Sequence, residues 1–240
     1  MLPNGQSDNM LRELIDKFYL SREKDREQHH FYITDAGKCP RSLFFKFKKA
    51  PREAMEAKIL RMFDHGDYIH QLIMKPLFGM REINVVASEI NIPPQELISG
   101  RADAILSTGK DLFVLDIKSM NSMVFRNLKE PKEENVDQVQ LYMHYFKVPK
   151  GILLYVNKDT QELKEFELTY DKNRSEALLR NLGDIKIKID SCIIPDRISG
   201  YPDDWQCKYC QFKEICIMAG AGEMKWDSFK SKIEKTSEIA

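Results

Sequence analysis

The chain has 240 residues, with 37 Lys and Arg against 37 Asp and Glu, so its formal net charge is zero; 42% of residues are hydrophobic and 31% charged. A mean hydropathy of −0.46 is that of a folding chain and excludes disordered and collagen-like classes, while the charge balance means that any nucleic-acid surface must be local. No apolar run approaches the ~18 residues of a membrane span, and residues 1–14 carry no charged-then-apolar leader, so the expectation is a cytoplasmic protein without a membrane partner.

In chain order, residues 9–28 predict a polar helix with Leu11, Leu14, Ile15 and Phe18 as a narrow apolar stripe. Residues 36–52 interleave Lys38, Arg41, Lys46, Lys48, Lys49 and Arg52 with Phe44, Phe45 and Phe47, and no acid intervenes. This stretch reads either as a stacking and electrostatic platform for a single strand of nucleic acid or as an amphipathic helix with its phenylalanines inside. A helix over 53–75 places Met55, Ile59, Phe63, Gly66 and Ile73 on one face. Strands follow at 85–90, 98–106 and 112–118, the last two joined by a hairpin-like turn at 107–111. A helix over 133–147, strands at 151–157 and 163–170, and a long helix over 171–190 complete a mixed α/β arrangement around one central sheet. The chain reads as one domain over 1–240: a helical extension 1–33, a core 34–200, a cysteine segment 201–220 and a charged, exposed tail 221–240.

Alternation on the strand 112–118 points Asp116 and Lys118 to one face and Leu115 and Ile117 to the other. Charged residues there are costly to bury unless they coordinate something. The hairpin can bring Asp103, in Gly100-Arg101-Ala102-Asp103, beside Asp116. A divalent cation between two such carboxylates relieves their repulsion, and hard oxygen ligands select Mg²⁺ or Mn²⁺. His70, one turn after Gly66, is either a core histidine with a satisfied hydrogen bond or a third ligand; Gly66 would allow another backbone or a substrate to approach closely. On the helix 133–147, Gln138, Tyr142 and Tyr145 form a polar–aromatic stripe, either half-packed surface or a clamp over a phosphate backbone. Gln140 offers a second register for the same pattern. Glu89 is either a supporting carboxylate or an exposed strand residue.

Five cysteines, at 39, 192, 207, 210 and 216, argue against a disulfide framework in a reducing compartment. Cys39, Cys207, Cys210 and Cys216 supply four thiolates, enough for one four-iron four-sulfur cluster or one structural Zn²⁺. Cys192, among apolar residues, reads as a small buried hydrophobe.

The ordered set G-x-x-D (Gly100–Asp103), D-x-K (Asp116–Lys118) and Q-x-x-x-Y (Gln138–Tyr142), with His70 upstream, resembles the RecB-like branch of the PD-(D/E)XK nucleases. One cysteine before the core and C-x2-C-x5-C after it resemble that branch's iron–sulfur members, the stand-alone CRISPR-associated exonucleases and, further off, AddB-type nuclease domains. The resemblance spans about residues 34–216. It implies a restriction-endonuclease-like core, a central mixed sheet flanked by helices, with the chain's two ends joined at a four-cysteine site. It further implies a metal-dependent exodeoxyribonuclease, with possible endonuclease action, working on single-stranded DNA or DNA ends in CRISPR spacer acquisition or in repair and recombination. His70, Asp103, Asp116 and the Ile117 carbonyl would hold one or two Mg²⁺ or Mn²⁺ ions. Lys118 would act on the attacking water, Gln138 and Tyr142 would position Lys118 and the DNA backbone, and the four cysteines would bind a 4Fe-4S cluster, with structural Zn²⁺ as the alternative. Implied partners are DNA and CRISPR adaptation or helicase proteins. The motif carries Asp116 where many members have Glu. Two other readings remain open: a DNA-binding or organising subunit on the same fold, and an RNA-directed nuclease.

Overall fold

A computed structural model describes residues 9–22 and 28–237, with side chains through 233. The first helix, α1 (Met10–Ser21), lies along α3 (Ala57–Leu77), tied by an Asp16–Arg61 ion pair. None of its residues is buried, so its predicted apolar stripe stays in solvent. Part of the predicted 9–28 helix, residues 23–27, lies outside the described residues.

Between these helices, β1 (Phe31–Tyr32) runs into a 3-10 turn at Ile33–Asp35 and then into α2 (Pro40–Phe47). Pro40 opens α2 because its fixed φ suits a first helical position and its missing N–H is unneeded there. Leu43, Phe44 and Phe45 are buried, so within the 36–52 stretch residues 40–47 form a short helix that turns Phe44 and Phe45 inward, where they are not free to stack on bases. The expected boundary at residue 34 also shifts, since Phe31 and Ile33 belong to the main core. In α3 the predicted apolar face is only partly used: Ile73 packs against a smaller core and Phe63 is 57% exposed, while the buried Ile69 lies outside the predicted set.

One five-stranded sheet, ordered β2-β4-β5-β6-β7, carries the rest. It consists of β2 (Asn84–Asn91), β4 (Arg101–Ser107), β5 (Leu112–Met120), β6 (Lys150–Asn157) and β7 (Leu163–Thr169). All neighbours are antiparallel except β5 and β6. That parallel pair requires a crossover, supplied by α4 (Ser122–Asn127), capped by the Asn121 side chain accepting from the Val124 amide at 2.9 Å, and α5 (Glu133–Phe146). The predicted strand 98–106 is broken at Gly100 into β3 (Ile98–Ser99), which pairs with β1, and β4. A Cβ at Gly100 would stand 2.8 Å from Ile33 Cγ1, so a bare backbone is needed where these segments cross. At Gly66 an added Cβ would meet only Ser119 Oγ at 3.9 Å, an ordinary contact, so among the described residues no backbone makes the close approach that this glycine would allow.

After the sheet, α6 (Lys172–Asp190) buries Leu178, Leu182, Ile185 and Ile189. Two short helices, α7 (Trp205–Lys208) and α8 (Lys213–Ala219), carry the cysteine segment. A two-stranded ribbon, β8 (Ile193–Ile194) with β9 (Met224–Lys225), leads into α9 (Trp226–Ser237). The expected exposed tail is thus corrected: Trp226, Phe229 and Ile233 are buried in the main core, and the Trp226 ring packs edge-on to Phe44 at 5.8 Å. Three apolar residues at helical spacing outweigh the lysines between them. No described helix is long and apolar enough to cross a membrane.

Candidate active site

The hairpin of β4 and β5 is regular from Ser107↔Leu112 to Ala104↔Leu115, and its backbone ladder ends there. Beyond that point the strands part, and the Asp103 side chain takes over: its Oδ2 accepts from the Ile117 amide at 2.7 Å. Because N–H and C=O of one strand residue point to the same side, the Ile117 carbonyl also opens into this gap. The Ile117 side chain turns into a smaller core with Ile69 and Leu115.

Asp103 Oδ1 lies 3.1 Å from Nδ1 of His70, which α3 brings over the gap. Burial opposes the charged imidazole, yet the Asp103 hydrogen bond and charge, helped by Asp116, lift the His70 pKa above its ordinary value. Asp116 is 2% exposed. Its burial, and next the nearby Asp103 charge acting against the attraction of Lys118, holds its carboxyl above the usual carboxylate range. Lys118 Nζ stands 2.8 Å from Asp116 Oδ2. Oδ2 is otherwise buried, so this ammonium is its polar partner. A buried carboxylate met by a single cation has acceptor capacity left over. A hard divalent cation is the species that would use it, so the donor set of His70, Asp103, Asp116 and the Ile117 carbonyl fits Mg²⁺ or Mn²⁺ chemically. Among the described residues, no three His, Cys, Asp or Glu side chains are gathered tightly enough to hold an ion as they stand.

Gln138 and Tyr142 lie behind this site, not over it. Both are buried; Gln138 Nε2 donates to the Tyr142 hydroxyl at 3.4 Å, and that hydroxyl donates to the Arg101 carbonyl at 2.7 Å. Burial, with the charges of Asp116 and Asp103 nearby, pushes the Tyr142 pKa up. The pair therefore secures the backbone two residues before Asp103; the hydrogen bonds of these two side chains run to each other and to the Arg101 carbonyl, whereas Lys118, which they were expected to position, pairs with Asp116. Gln140 bonds instead to the Thr169 carbonyl and the Asp171 amide, tying α5 to α6.

The four cysteines Cys39, Cys207, Cys210 and Cys216 line one cavity together with Arg41, Arg197 and Lys213. Burial pushes the Cys39, Cys207 and Cys210 thiols up. Such thiols remain protonated until a metal displaces the protons. Two side chains unrecognised in the sequence organise the site. The Gln206 side chain accepts from the Cys39 amide at 2.8 Å. Arg41, 1% exposed, donates to the carbonyls of Pro195, Gly220 and Gly222 at 2.6–2.8 Å and sits 3.8 Å from Cys216 Sγ. Four thiols beside the buried Arg41, the half-buried Arg197 and the exposed Lys213 form a donor set suited to an anionic thiolate cluster. Cys192 does not line this cavity; it packs against the main core, with Lys48 Nζ 3.2 Å from its Sγ.

A mixed sheet whose central hairpin splays to present two carboxylates and a lysine is the architecture of a metal-dependent nuclease, and residues 13–217 match the PD-(D/E)XK nuclease superfamily, to which the chain belongs. Enzymes of this class generally use divalent metals such as Mg²⁺ or Mn²⁺, and DNA is the substrate that the class implies. Among individual relatives, the CRISPR-associated exonuclease Cas4 of Saccharolobus solfataricus is 27% identical over 219 residues, covering 85% of this chain and 98% of that protein. The crystal structure of SSO0001 superposes with a TM-score of 0.55 at 24% identity, covering 86% of this chain and 96% of that one. The alkaline exonuclease of Laribacter hongkongensis does so at 0.51 and 10% identity, covering 75% and 93%. At these identities the two structures share the fold.

Proposed function

We propose that the protein is a metal-dependent exonuclease that hydrolyses phosphodiester bonds of single-stranded DNA or free DNA ends. The observation that carries the reading is the buried Asp116 carboxylate, 2.8 Å from Lys118 and next to the Asp103–His70 pair. His70, Asp103, Asp116 and the Ile117 carbonyl are the proposed ligands, and a divalent cation held there would supply Lewis acidity to the phosphate and a more acidic bound water. Lys118 is the proposed group that orients or deprotonates the attacking water and offsets phosphate charge. Gln138 and Tyr142 are assigned as positioning residues that hold the start of β4 so that Asp103 faces β5. Similarity to a CRISPR-associated exonuclease supports a role in CRISPR adaptation, with adaptation or helicase proteins as partners.

Cys39, Cys207, Cys210 and Cys216 are proposed to bind a four-iron four-sulfur cluster. Support comes from one cysteine before the core and C-x2-C-x5-C after it, and from the four thiols lining one cavity beside Arg41; structural Zn²⁺ is the alternative for the same four ligands. The cluster's contribution when bound is to join the two ends of the chain.

The test is incubation of anaerobically purified protein with end-labelled single-stranded DNA and Mn²⁺, beside Lys118→Ala. Wild type should shorten the strand, and Lys118→Ala should lose at least about a hundredfold in rate, the low end for a positioned acid or base. Near-wild-type cleavage by the variant would sink the mechanism. Stoichiometric zinc without iron would replace the cluster with a zinc site.

A further inference from the structure

A cavity of about 430 Å³ opens between α3 and the β2–β4 edge of the sheet, and its lining includes His70 and Asp103 together with Glu89, Arg101, Met74 and Phe78. Among the described residues lining it, Arg101 is the permanent cation. Arg101 and Asp103 lie two residues apart on β4, hence on the same face and roughly 6.7 Å apart along the strand. That separation is on the scale of one nucleotide step in an extended strand. The Arg101 backbone is fixed by the Tyr142 hydroxyl on its carbonyl, while its side chain is 61% exposed.

Glu89 holds that guanidinium in place. The pairs Ser88↔Ala104 and Ile90↔Ala102 put Glu89 across from Asp103, where a regular ladder would oppose two like charges. Instead Glu89 adopts a left-handed backbone, φ +51°, uncommon for a residue with a Cβ, and its Oε2 lies 2.7 Å from Arg101 Nη1. One corner of the guanidinium, Nη1, is thereby paired with Glu89 at the rim of the cavity, and its remaining donors are available to an anion there.

Resting on the nuclease reading above, we propose that Arg101 binds the phosphate adjacent to the scissile one, and that Glu89 is a positioning residue for Arg101. A planar guanidinium gives bidentate, oriented contact with a phosphate, so the pair sets the register of the strand against the metal-binding carboxylates and favours substrates that extend beyond the cleaved bond.

The experiment is a double-mutant cycle between protein and substrate. The first linkage cut in a short oligothymidylate with Mn²⁺ is mapped, and a neutral methylphosphonate then replaces the neighbouring linkage on either side in turn. Wild type should lose about tenfold in kcat/KM when one of these neighbours is neutral, the lower range for a hydrogen bond to a charged group. Arg101→Ala should lose a similar factor on the unmodified strand and nothing more on the neutral one, and Arg101→Lys should recover part of the discrimination. Glu89→Ala should reduce the discrimination between the charged and the neutral strand, and Glu89→Asp should recover part of it. Additive losses in the Arg101→Ala and methylphosphonate combination overturn the proposal. Binding of the same strands in Ca²⁺, followed by fluorescence anisotropy, separates the two readings. The same non-additivity in binding without any cleavage by wild type would overturn the nuclease assignment and retain Arg101 as the phosphate site, whereas additive binding losses overturn Arg101 alone.

Discussion

The Asp103 carboxylate bonds the Ile117 amide with one oxygen and His70 with the other, 2.7 and 3.1 Å away, so one side chain both closes the end of the β4–β5 ladder and shapes the site. Asp103→Asn should therefore keep the strand contact and lose hydrolysis, whereas Asp103→Ala should lose hydrolysis and also destabilise the fold by about 1–3 kcal/mol, the cost of an orphaned buried amide. Paired activity assays and urea denaturation would check this. Equal stability of the two variants would contradict the double role.

Metal affinity isolates His70. Since its ring adjoins Asp103 and is part-exposed, His70→Ala should raise the Mn²⁺ concentration for half-maximal activity by about tenfold, on the scale of one altered metal contact, and excess Mn²⁺ should restore much of the rate. An unfolded protein that no added metal rescues would assign His70 to the core.

The raised Asp116 pKa gives stability a pH dependence with a definite sign. A carboxyl whose folded pKa exceeds its unfolded value binds more protons when folded, so its contribution is complete below the ordinary carboxylate pKa of about 3.9 and is lost as pH rises through the folded pKa. Metal-free Asp116→Asn escapes that loss. Its melting temperature should equal or exceed that of wild type at pH 8, and the gap should narrow toward pH 5. A variant less stable than wild type at pH 8 and matching it at pH 5 would reverse the argument.

The positions of the strands that carry the candidate site were legible because alternation is a local property: Asp116 and Lys118 interrupt an apolar run with period two, and Asp103 lies one hairpin away. What Gln138 and Tyr142 touch was not legible, because their partner is the Arg101 carbonyl, chosen by how α5 packs on the sheet. Arg41 misled for a similar reason: among neighbouring lysines it reads as a surface cation, yet its carbonyl partners at 195, 220 and 222 make it a buried hub. The helix α9 had a readable signal in Trp226, Phe229 and Ile233 at i, i+3 and i+7, diluted by the charges between them.

That helix gives a stability prediction. Phe229, 2% exposed, packs against Phe45 with ring centroids 6.3 Å apart. Phe229→Ala should cost about 3–5 kcal/mol, as for other buried phenylalanines, read by thermal denaturation. A loss below about 0.5 kcal/mol, the surface range, would mean that the segment is peripheral after all.

The cysteine site has its own internal control. Cys207→Ser should abolish bound iron and acid-labile sulfide and lower solubility, since structural metal sites contribute on the order of 10 kcal/mol to folding. Cys192→Ser, outside the cavity, should keep full metal content. Full content in Cys39→Ser would refute the joining of the two ends.

Arg41 reaches carbonyls 154 to 181 positions further along the chain, and the Gln206 side chain reaches back 167 positions to Cys39. Loops of that length close late, because the entropy of bringing their ends together must be met before any contact rewards it. During synthesis, which delivers the N-terminal portion first, His70, the β4–β5 hairpin and α5 emerge well before the segment that Arg41 grips. The anchors of α2 are consequently among the last parts of the molecule to form, and the five-stranded sheet spends the intervening time with α2 unclasped.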